Sequence, residues 1–275
     1  MSTSTTPSGP EHLDDALAAL AVSDVVVVAL DFDGTLAELA DDPQAVRAVP
    51  SAAAALQALA ADDGVVLALV SGRPAADLAR LAAPPAGTAL VGSHGAETGQ
   101  VSEPGVVVLD DAVLSADEAA LHRRLAGALG AIAAGRGGVW VEDKPVGLAL
   151  HTRLADADDA REATEAALAG PAAWEATHTI RGKDVVEISV RAVSKGDAVD
   201  RLRTAVADEA GAPVPVLYAG DDVTDERAFA VLHPGDVAIK VGAGETLATF
   251  RVPDPDALGT ALSRLAAARA ALAAR

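Results

Sequence analysis

The sequence predicts an α/β fold: a doubly wound parallel-sheet core into which a smaller α+β unit is inserted. Three observations lead there. Apolar runs without polar alternation, Val25–Leu30, Leu67–Val70 and the run that opens at Val216, read as strands covered on both faces, as parallel strands are. Alanine-rich helical stretches alternate with these runs, the βα rhythm of a doubly wound sheet. That rhythm breaks from about Glu103 to Val190, where paired strands and two longer helices take over, and it resumes at Lys195. Residues 11–102 and 191–275 are therefore expected to form the core, 103–190 the inserted cap, and 1–10 a mobile tail.

Each element follows in order from local pattern. VVVVAL (25–30) is the first strand, and a helix-bearing stretch spans 43–61. Residues 65–70 form a strand, 74–82 a helix opened by Pro74, and 88–92 a short strand. In the insert, VVVLD (106–110) precedes a helix through 117–134. VWVEDK (139–144) and GLALHTR (147–153) pair as strands, a helix runs through 156–169, and TIRG and VVEISV close the unit as further strands. Beyond Lys195 come a helical stretch to Ala207, the strand from Val216, and an alanine-rich helix over 256–274. Strand, helix, paired strands, helix, paired strands is the order of an α+β layer on an antiparallel sheet.

Composition narrows the partners. In 275 residues, hydrophobic types make up 51% but aromatics only 2%, so much of the core is alanine and each helix contact buries modest area. Twenty-one basic against 40 acidic residues give a net charge of −19, which argues against nucleic acid and anionic membranes as partners. An anionic ligand must then be captured by local cations. The chain has no cysteine, in keeping with a reducing compartment. Its six histidines lack the short spacings of zinc sites. Residues 1–10 lack the basic start and apolar centre of a signal peptide, and no apolar run approaches the ~20 residues of a membrane span. A cytoplasmic protein is expected. Val241–Ala248 holds two glycines of a dinucleotide fingerprint, but Leu247 occupies the third position, so no nucleotide site follows.

The chemistry is concentrated in four strings. DFDGTL, Asp31–Leu36, closes the first strand with two acids, a glycine that permits a tight turn, and a threonine. LALVSGRP, Leu67–Pro74, ends a second strand in Ser71. VSKGDAV, Val193–Val199, sets Lys195 just ahead of a helix. VLYAGDDVTDERAF, Val216–Phe229, ends a strand in Asp221 and Asp222, with Asp225 one turn later. Ligands of such sheets bind beyond the carboxyl ends of the strands, where these residues fall. Singly, each has a structural explanation as a helix cap, a turn or a solvated charge; together they point to phosphate chemistry.

These strings resemble the four signature motifs of the haloacid-dehalogenase-like phosphatases, with a Rossmann-like core, and the match runs from about Asp24 to Val241. Further segments are similar to the trehalose-6-phosphate phosphatase family. GSHGAE, Gly92–Glu97, resembles its Asn-His-Gly-x-Glu element, with Ser93 in place of Asn. Val141–Arg153 resembles its Glu-Asp-Lys segment and His-x-Arg strand. Gly182–Val190 resembles its Gly-Lys-x-x-x-Glu-Ile strand, with Ser189 and Val190 where Arg-Pro is common. The resemblance implies hydrolysis of a sugar phosphate, foremost trehalose 6-phosphate. The same core chemistry would serve glucosyl- or mannosyl-3-phosphoglycerate or sucrose 6-phosphate, and a non-catalytic sugar-phosphate sensor is the third alternative.

Phosphate monoester hydrolysis requires an aligned nucleophile, neutralisation of developing charge and a proton for the leaving oxygen. Asp31 is expected to be the nucleophile, Asp33 the general acid and then base, and Thr35, Ser71 and Lys195 the phosphate contacts. Several carboxylates beside a phosphate call for a divalent cation, and an all-oxygen donor set suits Mg²⁺. Asp31 and Asp221 are the expected side-chain ligands, with the backbone carbonyl of Asp33 added as the resemblance implies. Asp222 and Asp225 are expected to stand behind them, Asp225 on either the metal or Lys195. For the sugar, the resemblance singles out His94, Glu142, Lys144, Arg153, Lys183 and Glu187, with His151 close by.

Overall fold

The computed structural model describes residues 10–40, 42–103, 106–109, 114–182 and 184–274. The chain divides into two compact units, Met1–Asp110 with Ser194–Arg275, and Asp111–Val193.

The larger unit holds an eight-stranded sheet. Its strands are β1 (Val26–Leu30), β2 (Val65–Val70), β3 (Ala89–Gly92), β4 (Glu97–Glu103), β5 (Val106–Leu109), β10 (Val216–Gly220), β11 (Val237–Val241) and β12 (Phe250–Val252), in the spatial order β12-β11-β10-β1-β2-β3-β4-β5. From β12 to β3 every pairing is parallel, and β3–β4 and β4–β5 are antiparallel. The chain leaves β1 toward β2 and β3, then returns on the other side through β10. The boundary between β1 and β10 is thus the topological switch point, where the loops part and open a crevice.

Side-chain alternation along β1 explains why its sequence is apolar throughout. Val26, Val28 and Leu30 join a core with α1 (Pro10–Ala21), α2 (Pro50–Ala60), α3 (Ala75–Ala82) and α8 (Pro255–Ala273), while Val27 and Ala29 face α6 (Lys195–Ala210) and α7 (Glu226–Phe229) on the opposite side. A strand buried on both faces has no polar position to offer. Helix α1 is not part of the sequence reading; its Leu13, Leu17 and Leu20 pack beneath the sheet. Arg269 of α8 fastens that corner. It donates to both carboxylate oxygens of Asp62, the shorter contact being 2.7 Å, and to the carbonyls of Ser23 and Asp24.

The smaller unit is a four-stranded antiparallel sheet, β6 (Trp140–Lys144), β7 (Gly147–His151), β9 (Val185–Ser189) and β8 (His178–Arg181), in the order β6-β7-β9-β8. One face, Leu148, Leu150, Val186 and Ile188, packs on Leu125 and Leu129 of α4 (Ala116–Ala133) and Ala163 and Ala167 of α5 (Ala157–Ala169). Ser115 and Glu118 form a reciprocal capping box at the start of α4, and Glu118 also takes a two-point contact from Arg191 at 2.7 and 2.8 Å.

One strand departs from expectation. VVVLD was expected in the insert, but Val106–Leu109 pairs with β4 at the edge of the large sheet. The local pattern marks a strand correctly; its sheet is decided by the antiparallel β4, a polar-rich segment that extends the core. No helix of the described residues is long and apolar enough to cross a membrane.

Candidate active site

The carboxyl ends of β1, β2 and β10 surround a cleft of about 550 Å³ lined by Asp31, Asp33, Ser71, His94, Lys195 and Asp221, among others. Asp31 follows β1 directly, and its N–H donates to the Ala219 carbonyl of β10, continuing the ladder into the site. Gly34 then turns the chain with φ of +73°. A Cβ there would lie 2.0 Å from Asp221 Oδ2, so only glycine lets the β1 loop meet the β10 carboxylate.

Lys195, the first residue of α6, is 3% exposed and places Nζ 2.8 Å from both Asp31 Oδ1 and Asp225 Oδ1. Asp225 is fully buried and saturated. Oδ1 accepts from Lys195 and from the Tyr218 hydroxyl at 2.7 Å, and Oδ2 accepts from the N–H groups of Asp221 and Asp222 at 3.0 and 2.9 Å. This geometry sets Asp225 on Lys195 and the β10 loop. Asp31, Asp221 and Asp225 each bring a carboxylate oxygen within 4.8 Å of the others.

Three acids around one ammonium dictate the protonation. Burial, opposed by Lys195 and reinforced by Asp225, pushes Asp31 up to about 8. Burial and the Asp225 charge raise Asp221 as well. For Lys195, burial works against the charge, but Asp31 and Asp225 outweigh it and hold the ammonium above its ordinary range. A cluster that resists carrying all its negative charge is one that a bound cation would complete.

Ser71 lies at the end of β2, buried, and its Oγ accepts the N–H of Arg73 at 3.2 Å. Among the described residues no acceptor takes the Ser71 proton, which can serve a ligand oxygen. Thr35, expected at the phosphate, stands beside the two carboxylates. It is fully buried, and its hydroxyl lies 3.4 Å from Asp31 Oδ2 and 3.3 Å from Asp221 Oδ1, because the turn folds back to the Phe32 carbonyl and directs Thr35 at the carboxylates. Asp222, next to Asp221, is exposed and lines the cleft, its Oδ1 accepting from Val223 N.

His94 reaches the cleft through a specific local fold. Ser93 and His94 both have positive φ, 49° and 58°, a conformation that suits Asn better than Ser. Ser93 compensates by donating to Glu97 Oε1 at 2.7 Å, while Glu97 Oε2 accepts the N–H of Ala75 at the start of α3. Gly72 makes room for the imidazole, since a Cβ there would lie 2.7 Å from the ring.

In the smaller unit, the pairing register puts Glu142, Ala149 and Glu187 in one row, and Trp140, His151 and Val185 in the next. These side chains share the face opposite the helices. Lys144 donates to Glu187 at 2.8 Å, Glu142 and His151 meet at 2.7 Å, His151 stacks on Trp140 at 4.7 Å, and the Arg153 guanidinium lies 5.6 Å from the Trp140 ring centre. The expected sugar contacts Glu142, Lys144, Glu187 and Arg153 therefore occupy one polar patch with an aromatic plane in it. Lys183, expected with them, lies outside the described residues.

Sequence reasoning missed Arg73, Tyr218 and Lys240. Arg73 makes a two-point contact with Asp33. Tyr218, buried in β10, braces Asp225, and Lys240, buried in β11, donates to the carbonyl of Asp221. Tyr218 and Lys240 had a signal, since a polar group inside an otherwise apolar strand must find a partner; Arg73, in the turn after β2, had none.

Comparison with known proteins agrees with this arrangement. The trehalose-phosphatase family model matches residues 29–256. The chain is 34% identical over 279 residues to the trehalose-phosphate phosphatase of Mycobacterium marinum, covering 94% of this chain and 68% of that one. It is 37% identical over 263 residues to a probable trehalose-phosphate phosphatase of Sinorhizobium fredii, covering 92% of each. Among solved structures, Aspergillus fumigatus trehalose-6-phosphate phosphatase superposes with a TM-score of 0.66 at 25% identity, over 96% of this chain and 99% of that chain. The chain belongs to the trehalose-phosphatase family and is a phosphoric monoester hydrolase of haloacid-dehalogenase-like fold.

Proposed function

We propose that the chain hydrolyses trehalose 6-phosphate to trehalose and inorganic phosphate through an aspartyl phosphate on Asp31, with Mg²⁺ as its cation. The observation that carries this reading is the meeting of Asp31, Lys195 and Asp221 at the switch point, three groups from separate segments lining one cleft.

The donor set fits a hard cation. Asp225 has its oxygens committed to four donors, which leaves the carboxylates of Asp31 and Asp221, with the carbonyl of Asp33, to hold Mg²⁺. Like charges 4 Å apart at an effective dielectric of 20 cost ~4 kcal/mol per pair, and the bound cation would offset that repulsion when phosphate enters. In the first step an Asp31 carboxylate oxygen attacks phosphorus. The bond from phosphorus to the sugar oxygen breaks, and that oxygen keeps the electron pair and takes the proton of Asp33. In the second step Asp33 takes a proton from water as the water oxygen attacks phosphorus. The bond to Asp31 breaks with its pair returning to the carboxylate, so both acids are restored. Lys195 holds Asp31 in place and balances the phosphate charge, and Ser71 donates its free proton to a phosphate oxygen.

Recognition of the disaccharide is assigned to the polar face of the smaller unit's sheet. Glu142, Lys144 and Glu187 offer charged acceptors and donors to sugar hydroxyls, with His94, Arg153 and Lys183 as further contacts. The names of the relatives support trehalose 6-phosphate over other sugar phosphates. Phosphate release from trehalose 6-phosphate, sucrose 6-phosphate, glucosyl-3-phosphoglycerate and glucose 6-phosphate, with and without chelator, tests the reading. Preferential release from trehalose 6-phosphate, abolished by chelator and restored by Mg²⁺, is expected. Equal release from all four, or indifference to the chelator, contradicts it.

A further inference from the structure

Arg73 has no part in the steps above, yet few side chains of the site are held so firmly. Nε donates to Asp33 Oδ2 and Nη2 to Asp33 Oδ1, both at 2.6 Å, and Nη1 donates to the Pro43 carbonyl at 2.9 Å. The guanidinium lies 5.8 Å from the Phe32 ring centre. The backbone is tied too, for Arg73 N donates to Ser71 Oγ and its carbonyl accepts from Ser93 N at 2.8 Å. With 15% of its side chain exposed, Arg73 joins the loop after β1, the loop at Pro43 and the turn after β2.

A forked carboxylate cannot rotate, because both oxygens are fixed in the guanidinium plane. Each oxygen retains a second lone-pair site, so the fork need not open for one of them to carry or receive a proton. Asp33 must present the same oxygen twice, to a departing sugar oxygen and then to water, and an unrestrained aspartate at 29% exposure would sample other rotamers. As the proton leaves for the sugar oxygen, Asp33 becomes an anion, and the adjacent guanidinium stabilises that charge where it develops.

We propose that Arg73 is the positioning residue of Asp33, fixing its carboxyl for proton transfer in both half-reactions. The inference rests on the reading of Asp33 as general acid and base, and its test separates the two. Arg73→Gln, Arg73→Lys and Asp33→Asn are compared on trehalose 6-phosphate, whose sugar oxygen must be protonated to leave, and on p-nitrophenyl phosphate, whose phenolate leaves without a proton.

For Arg73→Gln, kcat on trehalose 6-phosphate falls about 10- to 100-fold with KM within about two-fold. On p-nitrophenyl phosphate it gives a burst approaching one phenolate per enzyme, then a slow steady rate, because transfer proceeds while hydrolysis lacks its oriented base. Arg73→Lys recovers part of the loss, and Asp33→Asn shows the same burst with a deeper fall. Should Arg73→Gln fail to fold, Arg73→Lys, with one contact point in place of two, carries the same pattern at smaller amplitude. An equal fall on both substrates without a burst, beside a burst in Asp33→Asn, overturns the role of Arg73. So does a raised KM at unchanged kcat, which makes Arg73 a direct phosphate ligand. Loss of the leaving-group dependence in Asp33→Asn itself refutes the reading of Asp33, and the positioning role with it.

Discussion

Asp225→Asn is the sharpest perturbation of the buried network, because the change is isosteric and its consequence follows from counting donors. Four donors converge on Asp225: Lys195 Nζ, the Tyr218 hydroxyl and two backbone N–H groups. An amide has one acceptor oxygen, which must serve the backbone pair because those N–H groups cannot reverse. Its NH₂ then faces Lys195 and Tyr218. The tyrosine can rotate its hydroxyl and accept, but an ammonium cannot. Lys195, 3% exposed, is left with Asp31 alone. Breaking a buried pair on one side costs ~3–5 kcal/mol, which at ~2–4 °C per kcal/mol for a unit of this size lowers the melting temperature by about 6–20 °C. Thermal and urea unfolding followed by near-ultraviolet circular dichroism measure this, with the urea midpoint falling at unchanged slope. Asp222→Asn, at an exposed carboxylate that accepts from its neighbour Val223 N, is the control and should shift stability by less than ~1 kcal/mol. An Asp225→Asn protein that melts within about 2 °C of the parent would refute the view that Asp225 organises the site.

Four further outcomes follow from other contacts. Gly34→Ala should reduce phosphate release by ~100-fold or more through displacement of Asp221, whose Oδ2 would lie 2.0 Å from the new methyl, while far-ultraviolet dichroism stays native. Arg269→Met should destabilise the larger unit by ~2–4 kcal/mol, since the Asp62 carboxylate and the carbonyls of Ser23 and Asp24 lose their donor. The Arg269 contact holds Asp62 below the usual carboxylate range. Its stabilisation is present above that range and lost as pH falls, so the gap in melting temperature between parent and Asp62→Asn should narrow on acidification. Glu118 behaves alike: Arg191 and the Ser115 cap hold it at about 2. The advantage of the parent over Glu118→Gln, read from melting of the smaller unit, should persist above its ordinary pKa of 4.5 and vanish as pH approaches about 2.

Asp31, Ser71, Lys195 and Asp221 were legible in the sequence because each sits at a strand or helix end, where a doubly wound sheet gathers its loops. Period and composition sufficed to place those ends. What stayed hidden depends on partners rather than pattern. Arg73 follows Ser71 and Gly72 in plain view, but nothing local says that its guanidinium will find Asp33 from another loop. Thr35 lies in a phosphate-like motif, and only the turn onto Phe32 shows its hydroxyl directed at two carboxylates. VVVLD reads as a strand, while the sheet it joins is settled by its pairing with β4. Tyr218 and Lys240 were passed over as members of apolar strands, although a buried phenol and a buried ammonium each require a partner.

The central claim is that Asp31 carries the phosphoryl group, and trapping that intermediate tests it most directly. The enzyme, mixed with trehalose 6-phosphate and Mg²⁺, is quenched in acid within its turnover time, reduced with borohydride and digested. An acyl phosphate at Asp31 is converted to homoserine, so the peptide spanning residue 31 should carry homoserine there, and only when substrate was present. Homoserine at another aspartate, or phosphate release at a normal rate from Asp31→Asn with no reduced peptide, would contradict the account.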